Sequence, residues 1–487
     1  MSYFILVKTI FDTLMTDKFT LRSYITGVEN NQLTPQEIVS NYRKKVLDNR
    51  TNAWITTTNS WYDVDKQVDD YISDHIDIFT TRPLRSAPIW VKDLILTKWI
   101  QTTCGSKILS WYIPPYSATC FDKLEQAGGM IIWKNNLDEF AMWSTWETSA
   151  FWVTSNPLDP TKIPGWSSSG SASAVADDQC IVSLGTDTGG SVRLPASLCG
   201  IVGFKPTYGA ISRYGVNAMA NSLDQVGVLS KTVLDAEIIF DHIRWADPHD
   251  LTSFDLDKID LDTNKKIKIA VFNQFFQDGI DPRVSGIIKS KLDQLSLSDH
   301  IDVEYIDFDR LKYVVAIYYI LMPAEVSTNL SRFDGIRFGL QIDTSDYKDF
   351  HAYITAIRTR WFGEEVKRRL VLGSYVLSSW HQDQYYQKAL SMREILKEKY
   401  NNIFDTYDFV VWPTSPKVAW DVWYMKDDPL TAYLTDVYTI PANLIWSPAI
   451  SIPVGEIGWL PVWLHLMWNT RHDFQLLQFA KNIEDII

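Results

Sequence analysis

The stretch PGWSSSGSASAVADDQCIVSLGTDTGGSVRLPASLCG, residues 164–200, carries the densest run of small residues in the chain. Small side chains let backbone approach backbone or a ligand closely. CIVSLG (180–185) reads as a short buried strand, so the order is small-residue segment, strand, glycine pair. Successive N–H groups after a glycine pair can converge on one oxyanion. Three readings fit these residues: an ordinary Ser/Gly loop, a phosphate-binding loop, and a nucleophilic serine with its anion cradle. The phosphate reading lacks the GK[ST] that should follow the glycines.

Outward from this stretch, helical and strand-like patterns alternate, with no internal repeat. That alternation predicts an α/β layered fold in a single domain covering 1–487. Thr34-Pro35-Gln36-Glu37 reads as a capping box with proline at the first helical position, followed by Ile38, Val39, Tyr42 and Val46 at helical spacing. ATCFDKLEQAG (118–128) and GMIIWK (129–134) read as helix, glycine stop and buried strand. IKIAVF (267–272), DFVVWP (408–413), AISIPV (449–454) and LPVWLHLMW (460–468) read as further strands. The expected divisions are an N-terminal helical segment (about 1–60), a catalytic core (about 85–235), a polar surface excursion (about 247–266) and a C-terminal part (about 267–487).

At 487 residues and 46% hydrophobic content, the chain can bury a large core. Its 46 basic and 59 acidic side chains give a net charge of −13, which argues against a basic nucleic-acid groove on this chain. Four scattered cysteines, Cys104, Cys120, Cys180 and Cys199, form no CxxC pair and fit a reduced, cytoplasmic setting. The longest apolar run, Tyr313 to Met322, falls short of the ~20 residues of a membrane span. Residues 1–19 show no secretion signal. No HExxH and no paired Cys/His spacing points to a metal.

IWVKDLILTK (89–98), GWSSSG (165–170) and DTGGS (187–191), taken in order, resemble the amidase signature family. The resemblance implies an α/β/α sandwich, with a large mixed, mostly parallel central sheet covered by helices on both faces. It also implies a catalytic set of Lys92, Ser167 and Ser191, the second serine following a cis peptide bond and standing 24 positions before the nucleophile. A serine hydroxyl needs a base at the moment of attack. Lys92 would be that base and would have to be held neutral. Ser167 would relay the proton between Lys92 and Ser191, and then to the departing amine. The N–H groups of Thr188, Gly189, Gly190 and Ser191 would form the oxyanion hole. A histidine triad competes in principle, but none of the eight histidines lies near these motifs, although sequence distance leaves it open. A cysteine nucleophile would be Cys199, which has no neighbouring histidine motif.

Within that family, LDEFAMWSTWETSAF (137–151), SRYGVNAMANSLDQVGVLSKTV (212–233), FGEEVKRRLVLGSYVLSS (362–379) and DDPLTAYLTDVYTIPANL (427–444) look like the glutaminase subunits of tRNA-dependent amidotransferases. This resemblance implies that glutamine is held by Arg369 at its carboxylate and by Asp436 at its ammonium, with Tyr318, or the adjacent Tyr319, beside them. It implies no cofactor in this chain. A partner B subunit would bind the mischarged tRNA and use ATP and Mg, and a small C subunit would brace the pair.

Twenty tryptophans stand against only 22 glycines, about 4.5% glycine where about 7% is usual. Trp90, Trp99, Trp133, Trp143, Trp152, Trp166, Trp446, Trp459, Trp463 and Trp468 stand where the family has, or readily takes, glycine. Trp146, Trp245, Trp361, Trp380, Trp412 and Trp423 fit the same pattern. Since UGA is read as glycine in one genetic code and as tryptophan in another, we read the excess as glycine codons decoded as tryptophan. Taken literally, Trp166 beside Ser167 predicts a catalytic site that does not assemble.

Overall fold

Residues adjacent along one strand enter different cores. Ile269 and Val271 belong to one buried cluster, Ala270 and Phe272 to a second, and the same split separates Phe409 and Val411 from Val410 and Trp412. Side chains with period two and apolar residues on both faces require helices on both sides of the sheet.

The computed structural model describes residues 19–487 except 49, 56–63, 143–147, 263, 278, 344, 346, 423–432, 485 and 487. Its strands are β1 (Pro88–Lys92), β2 (Met130–Asn135), β3 (Val182–Asp187), β4 (Val202–Lys205), β5 (Gln225–Ser230), β6 (Ile267–Phe272), β7 (Ile301–Ile306), β8 (Phe409–Pro413), β9 (Ala449–Ile457) and β10 (Leu460–Met467). They form one ten-stranded sheet in the order β2-β1-β3-β5-β4-β9-β10-β8-β6-β7. The large mixed α/β sheet expected from the sequence is present. Parallel pairing, expected to prevail, holds at the two flanks, β2-β1-β3 and β8-β6-β7. The five pairs between β3 and β8 are antiparallel. Antiparallel neighbours need no crossover helix, and β9 turns into β10 through Gly458 and Trp459 alone.

The helices are α1 (Leu21–Glu29), α2 (Pro35–Asp48), α3 (Val64–Thr80), α4 (Thr119–Gln126), α5 (Ser169–Ala176), α6 (Arg193–Cys199), α7 (Val233–Ile243), α8 (Pro282–Ser296), α9 (Leu311–Asn329), α10 (Phe350–Trp361), α11 (Glu364–Val376), α12 (Lys388–Phe404), α13 (Ile440–Leu444) and α14 (Asp473–Glu484). Helices α1, α4, α7, α8 and α14 share a core with one face of the sheet. Helices α9, α11 and α12 pack on the other face, and α2, α5 and α6 join a third cluster around Trp90 and Trp133. The Thr34 hydroxyl caps α2 by accepting from the Glu37 N–H at 3.4 Å, and donates to the Glu37 carboxylate at 2.7 Å. Among its described residues, the expected segment 247–266 contains no helix or strand, and it joins α7 to β6. No helix among the described residues is long and apolar enough to cross a membrane. Residues 1–18, on which the absence of a secretion signal was read, lie outside the described residues, as do Trp143, Trp146 and Trp423.

Among the described residues, four tryptophans carry left-handed backbone: Trp99 (φ 65°), Trp166 (φ 38°), Trp245 (φ 139°) and Trp446 (φ 67°). Glycine adopts such angles freely, whereas a bulky residue is strained there. The buried indole N–H groups of Trp90, Trp133, Trp361 and Trp463 find no acceptor among the described residues. A buried donor left unpaired costs about 1–3 kcal/mol. Two of these residues also mark sheet irregularities, since register shifts fall between Ile89 and Val91 and between Val462 and Trp463. Trp99 and Trp245 are exposed, so their removal forfeits little packing. Trp99→Gly and Trp245→Gly are each expected to raise stability by about 1 kcal/mol, read as a higher urea midpoint; an unchanged or lower midpoint would show that the tryptophans are at ease there.

Candidate active site

The site is assembled where β1 and β3 end side by side. Lys92 is the last residue of β1 and is fully buried. Its Nζ lies 2.7 Å from Ser167 Oγ, 3.0 Å from Ser168 Oγ and 2.9 Å from Thr186 Oγ1. Ser168 and Thr186 were not foreseen. Both flank motif residues that were, Ser167 and Asp187, and the Ser168 hydroxyl in turn donates to the Thr186 carbonyl at 3.2 Å.

The chain leaves β3 at Asp187, and residues 188–192 loop over to α6. Gly190 sits at φ 126°, an angle that favours glycine. Its N–H does not face the cavity as expected: it donates to Asp187 Oδ1 at 2.8 Å. A carboxylate at the strand end is a strong acceptor within reach of the turn, and it captures this amide together with that of Val192 at 3.1 Å. Thr188, Gly189 and Ser191 have N–H groups engaged by no described hydrogen bond. Of the four N–H groups expected in the oxyanion hole, those of Thr188, Gly189, Gly190 and Ser191, the Gly190 N–H is thus taken up by Asp187 and the other three are left for that role. The Thr188 hydroxyl is fixed by Asp224 at 2.7 Å, a carboxyl that burial pushes up to about 6.

Beneath the loop, Asp187 is locked to Arg193, both wholly buried. Arg193 Nε donates to Asp187 Oδ2 at 3.0 Å and Nη2 to Oδ1 at 2.9 Å. The same guanidinium reaches the Thr439 carbonyl, Asn443 Oδ1 and His465 Nε2, each within 2.8 Å. Burial works to raise the Asp187 pKa, but Arg193, then Lys205 and Asn443, hold it below the usual carboxylate range. Burial and then Arg193 hold His465 well below its usual value, so it is neutral. Its Nε2 lies 2.8 Å from Arg193 Nη1, which removes the histidine alternative for His465. Cys199, the other competing nucleophile, is buried at the end of α6 with its thiol toward the Pro164 carbonyl at 3.6 Å.

Ser191 is 6% exposed and lines a cavity with Thr188, Gly189, Ala141, Met219, Tyr318, Tyr319, Arg369, Asp436 and Trp166. The three candidate glutamine-binding residues thus meet the candidate nucleophile, although they come from α9, α11 and the segment before α13. Both tyrosines take part. A Cβ on Gly189 would lie 2.6 Å from the Tyr318 hydroxyl, and the Tyr319 hydroxyl donates to Asp436 Oδ2 at 2.5 Å. Arg369 Nε donates to Glu365 Oε1 at 2.7 Å. Burial opposes its charge, but Glu365, then the neighbouring tyrosines, keep its pKa above the usual value. Burial pushes Asp436 up to about 7 against the hydrogen bonds from Tyr319 and Trp166 and the charge of Arg369.

One expectation is corrected here: no cis peptide bond occurs among the described residues, so Ser167 follows a trans bond. Around Trp166 the backbone turns at φ 38°, the ring packs with Leu194, Leu198 and Trp420, and the expected assembly is met only in part. Lys92 meets Ser167, but no described hydrogen bond joins Ser167 to Ser191. Among the described residues, no group of three or more His, Cys, Asp and Glu could hold a metal ion.

Comparison with known proteins gives a consistent picture. The family model described as Amidase matches residues 37–477. The A subunit of the glutamyl-tRNA(Gln) amidotransferase of Desulforamulus reducens is 42% identical over 95% of this chain and 96% of its own. Its counterpart from Thermodesulfovibrio yellowstonii is 41% identical over 96% and 97%. The crystal structure of the corresponding glutamyl-tRNA(Gln) amidotransferase chain from Thermotoga maritima superposes with a TM-score of 0.77 at 35% identity, covering 96% of this chain and 95% of that one.

Proposed function

The chain belongs to the amidase family, and on that premise we propose that it is the glutamine-hydrolysing subunit of a tRNA-dependent amidotransferase. The observation that carries the reading is the buried Lys92 Nζ at 2.7 Å from Ser167 Oγ, beneath a cavity that unites Ser191 with Arg369 and Asp436. The relatives' names support the same activity.

An ammonium cannot accept a proton, and taking one out of water is costly, so an enclosed Lys92 suits the neutral base the reaction needs. The neutral amine donates its two hydrogens to Ser168 Oγ and Thr186 Oγ1 and keeps its lone pair for the Ser167 hydroxyl. Rotation of the Ser191 side chain toward Ser167 completes the relay. Ser191 Oγ then attacks the side-chain amide carbon of glutamine while its proton passes through Ser167 to Lys92. The N–H groups of Thr188, Gly189 and Ser191 receive the developing oxyanion. Collapse of the adduct breaks the C–N bond, the proton returns through Ser167, and ammonia leaves. Water then hydrolyses the glutamyl ester and regenerates Ser191. Arg369 holds the α-carboxylate, Asp436 the α-ammonium, and Tyr318 and Tyr319 wall the site. We further assign the ammonia to a partner B subunit that binds ATP, Mg and the mischarged Glu-tRNA(Gln) and/or Asp-tRNA(Asn), with a C subunit bracing the cytoplasmic heterotrimer.

The test is ammonia release from glutamine with B and C subunits present, comparing this chain with one carrying glycine at the tryptophan positions named above. Activity in the glycine chain is expected, with Arg369→Ala raising the glutamine KM by roughly 100-fold and lowering kcat less. An unchanged KM would favour an amidase acting on a small amide, which has no use for Arg369. Release by neither chain would leave a scaffold without hydrolytic activity.

A further inference from the structure

The cavity that holds the candidate nucleophile measures about 20 Å³. That is room for about one water molecule, and glutamine is several times larger. One of its walls explains the shortage. The Trp166 indole N–H donates to Asp436 Oδ1 at 2.7 Å, while the Tyr319 hydroxyl donates to Oδ2 at 2.5 Å. Both oxygens of the carboxylate assigned to the ligand's ammonium are already engaged from within the chain. The ring is not a loose cover, for it is 3% exposed and wedged with Leu194, Leu198 and Trp420, whose ring centroid lies 5.8 Å away.

We infer that, in a chain carrying tryptophan at position 166, this side chain stoppers the active-site cavity, its indole N–H standing in for the ammonium of an amino-acid ligand at Asp436. The inference rests on the assignment of Asp436 to that ammonium, but the steric part does not. An N–H donor on a flat apolar ring satisfies Asp436 as an ammonium would and excludes the water that would otherwise solvate it. The position is strained as well as occupied, since φ 38° suits glycine better than tryptophan. Glycine at 166 removes the ring, the strain and the competing donor together. The contact between Lys92 and Ser167 at 2.7 Å does not run through the indole and is expected to remain.

Two readouts test this in the full-length chain. The first is the rate at which phenylmethylsulfonyl fluoride labels Ser191, read by intact mass; the reagent needs space but no ammonium site. Trp166→Gly, and Trp166→Ala run in parallel as a second open variant, are expected to label at least about tenfold faster than the tryptophan chain, because only the open fraction reacts. Trp166→Phe keeps the bulk without the N–H and should stay slow. Equal rates in the glycine, alanine and tryptophan chains would overturn the stopper. The second readout is glutamine binding by calorimetry in a Ser191→Ala background. Binding with glycine at 166 and none with tryptophan supports the stopper, and equal binding by both overturns it while leaving the glutaminase reading intact. Faster labelling without glutamine binding in either chain would keep the stopper and remove glutamine as the ligand.

Discussion

In the chain with glycine at position 166, Lys92→Met is expected to lower the kcat for glutamine hydrolysis by about 10²–10⁴, the usual worth of a general base. Ser191→Ala should lower it by at least about 10³. Methionine matches the length of lysine without its charge, so the fold should survive. The three hydroxyls it leaves behind, on Ser167, Ser168 and Thr186, already lie close to one another around Lys92 and can rotate to new partners. Ammonia release measured against unchanged circular dichroism checks both variants. Near-normal turnover in either would remove that residue from the proposed chemistry.

The second large effect concerns stability. Arg193→Met is expected to destabilise the chain by about 3–5 kcal/mol, because it strands Asp187 as an uncompensated buried charge. The same change should lower activity, since Asp187 is the acceptor that turns the Gly190 and Val192 amides and so shapes the loop around Ser191. Urea unfolding at neutral pH gives the first quantity. The double variant Asp187→Asn/Arg193→Met should recover a large part of the loss, because the stranded charge is gone while Asn can still accept from the Gly190 amide. If the single and double variants unfold at the same urea concentration, the cost lies in packing rather than in the orphaned carboxylate.

These two results would separate parts of the site that differ in how legible they are from residue order. The resemblance carried by VKD, SSS and DTGGS pointed to Lys92, Ser167 and Ser191, and the structure brings these segments into one region because each motif sits at or just beyond the end of β1 or β3, or at the start of α5. The oxyanion loop was legible only in part. A glycine pair announces a turn, but whether a given N–H faces the cavity or the Asp187 carboxylate depends on the tilt of one peptide plane. The Arg193 network was invisible, since its members, Asp187, Thr439, Asn443 and His465, are brought together across more than half the chain.

What the sequence alone determined is local. The pattern of apolar residues set the strands and helices, the small-residue run set the close approach of α5 to the sheet, and the surplus of tryptophan beside a shortage of glycine marked positions that appear in the structure as left-handed turns and orphaned indoles. What only the tertiary structure decided is long-range. The antiparallel middle of the sheet, Ser168 and Thr186 as partners of Lys92, and the indole of Trp166 seated on Asp436, 270 residues away, all depend on which segments distant in the chain pack side by side. Periodicity and propensity act within a few residues, whereas contacts between distant segments are set by the packing of complete layers, which no local pattern encodes.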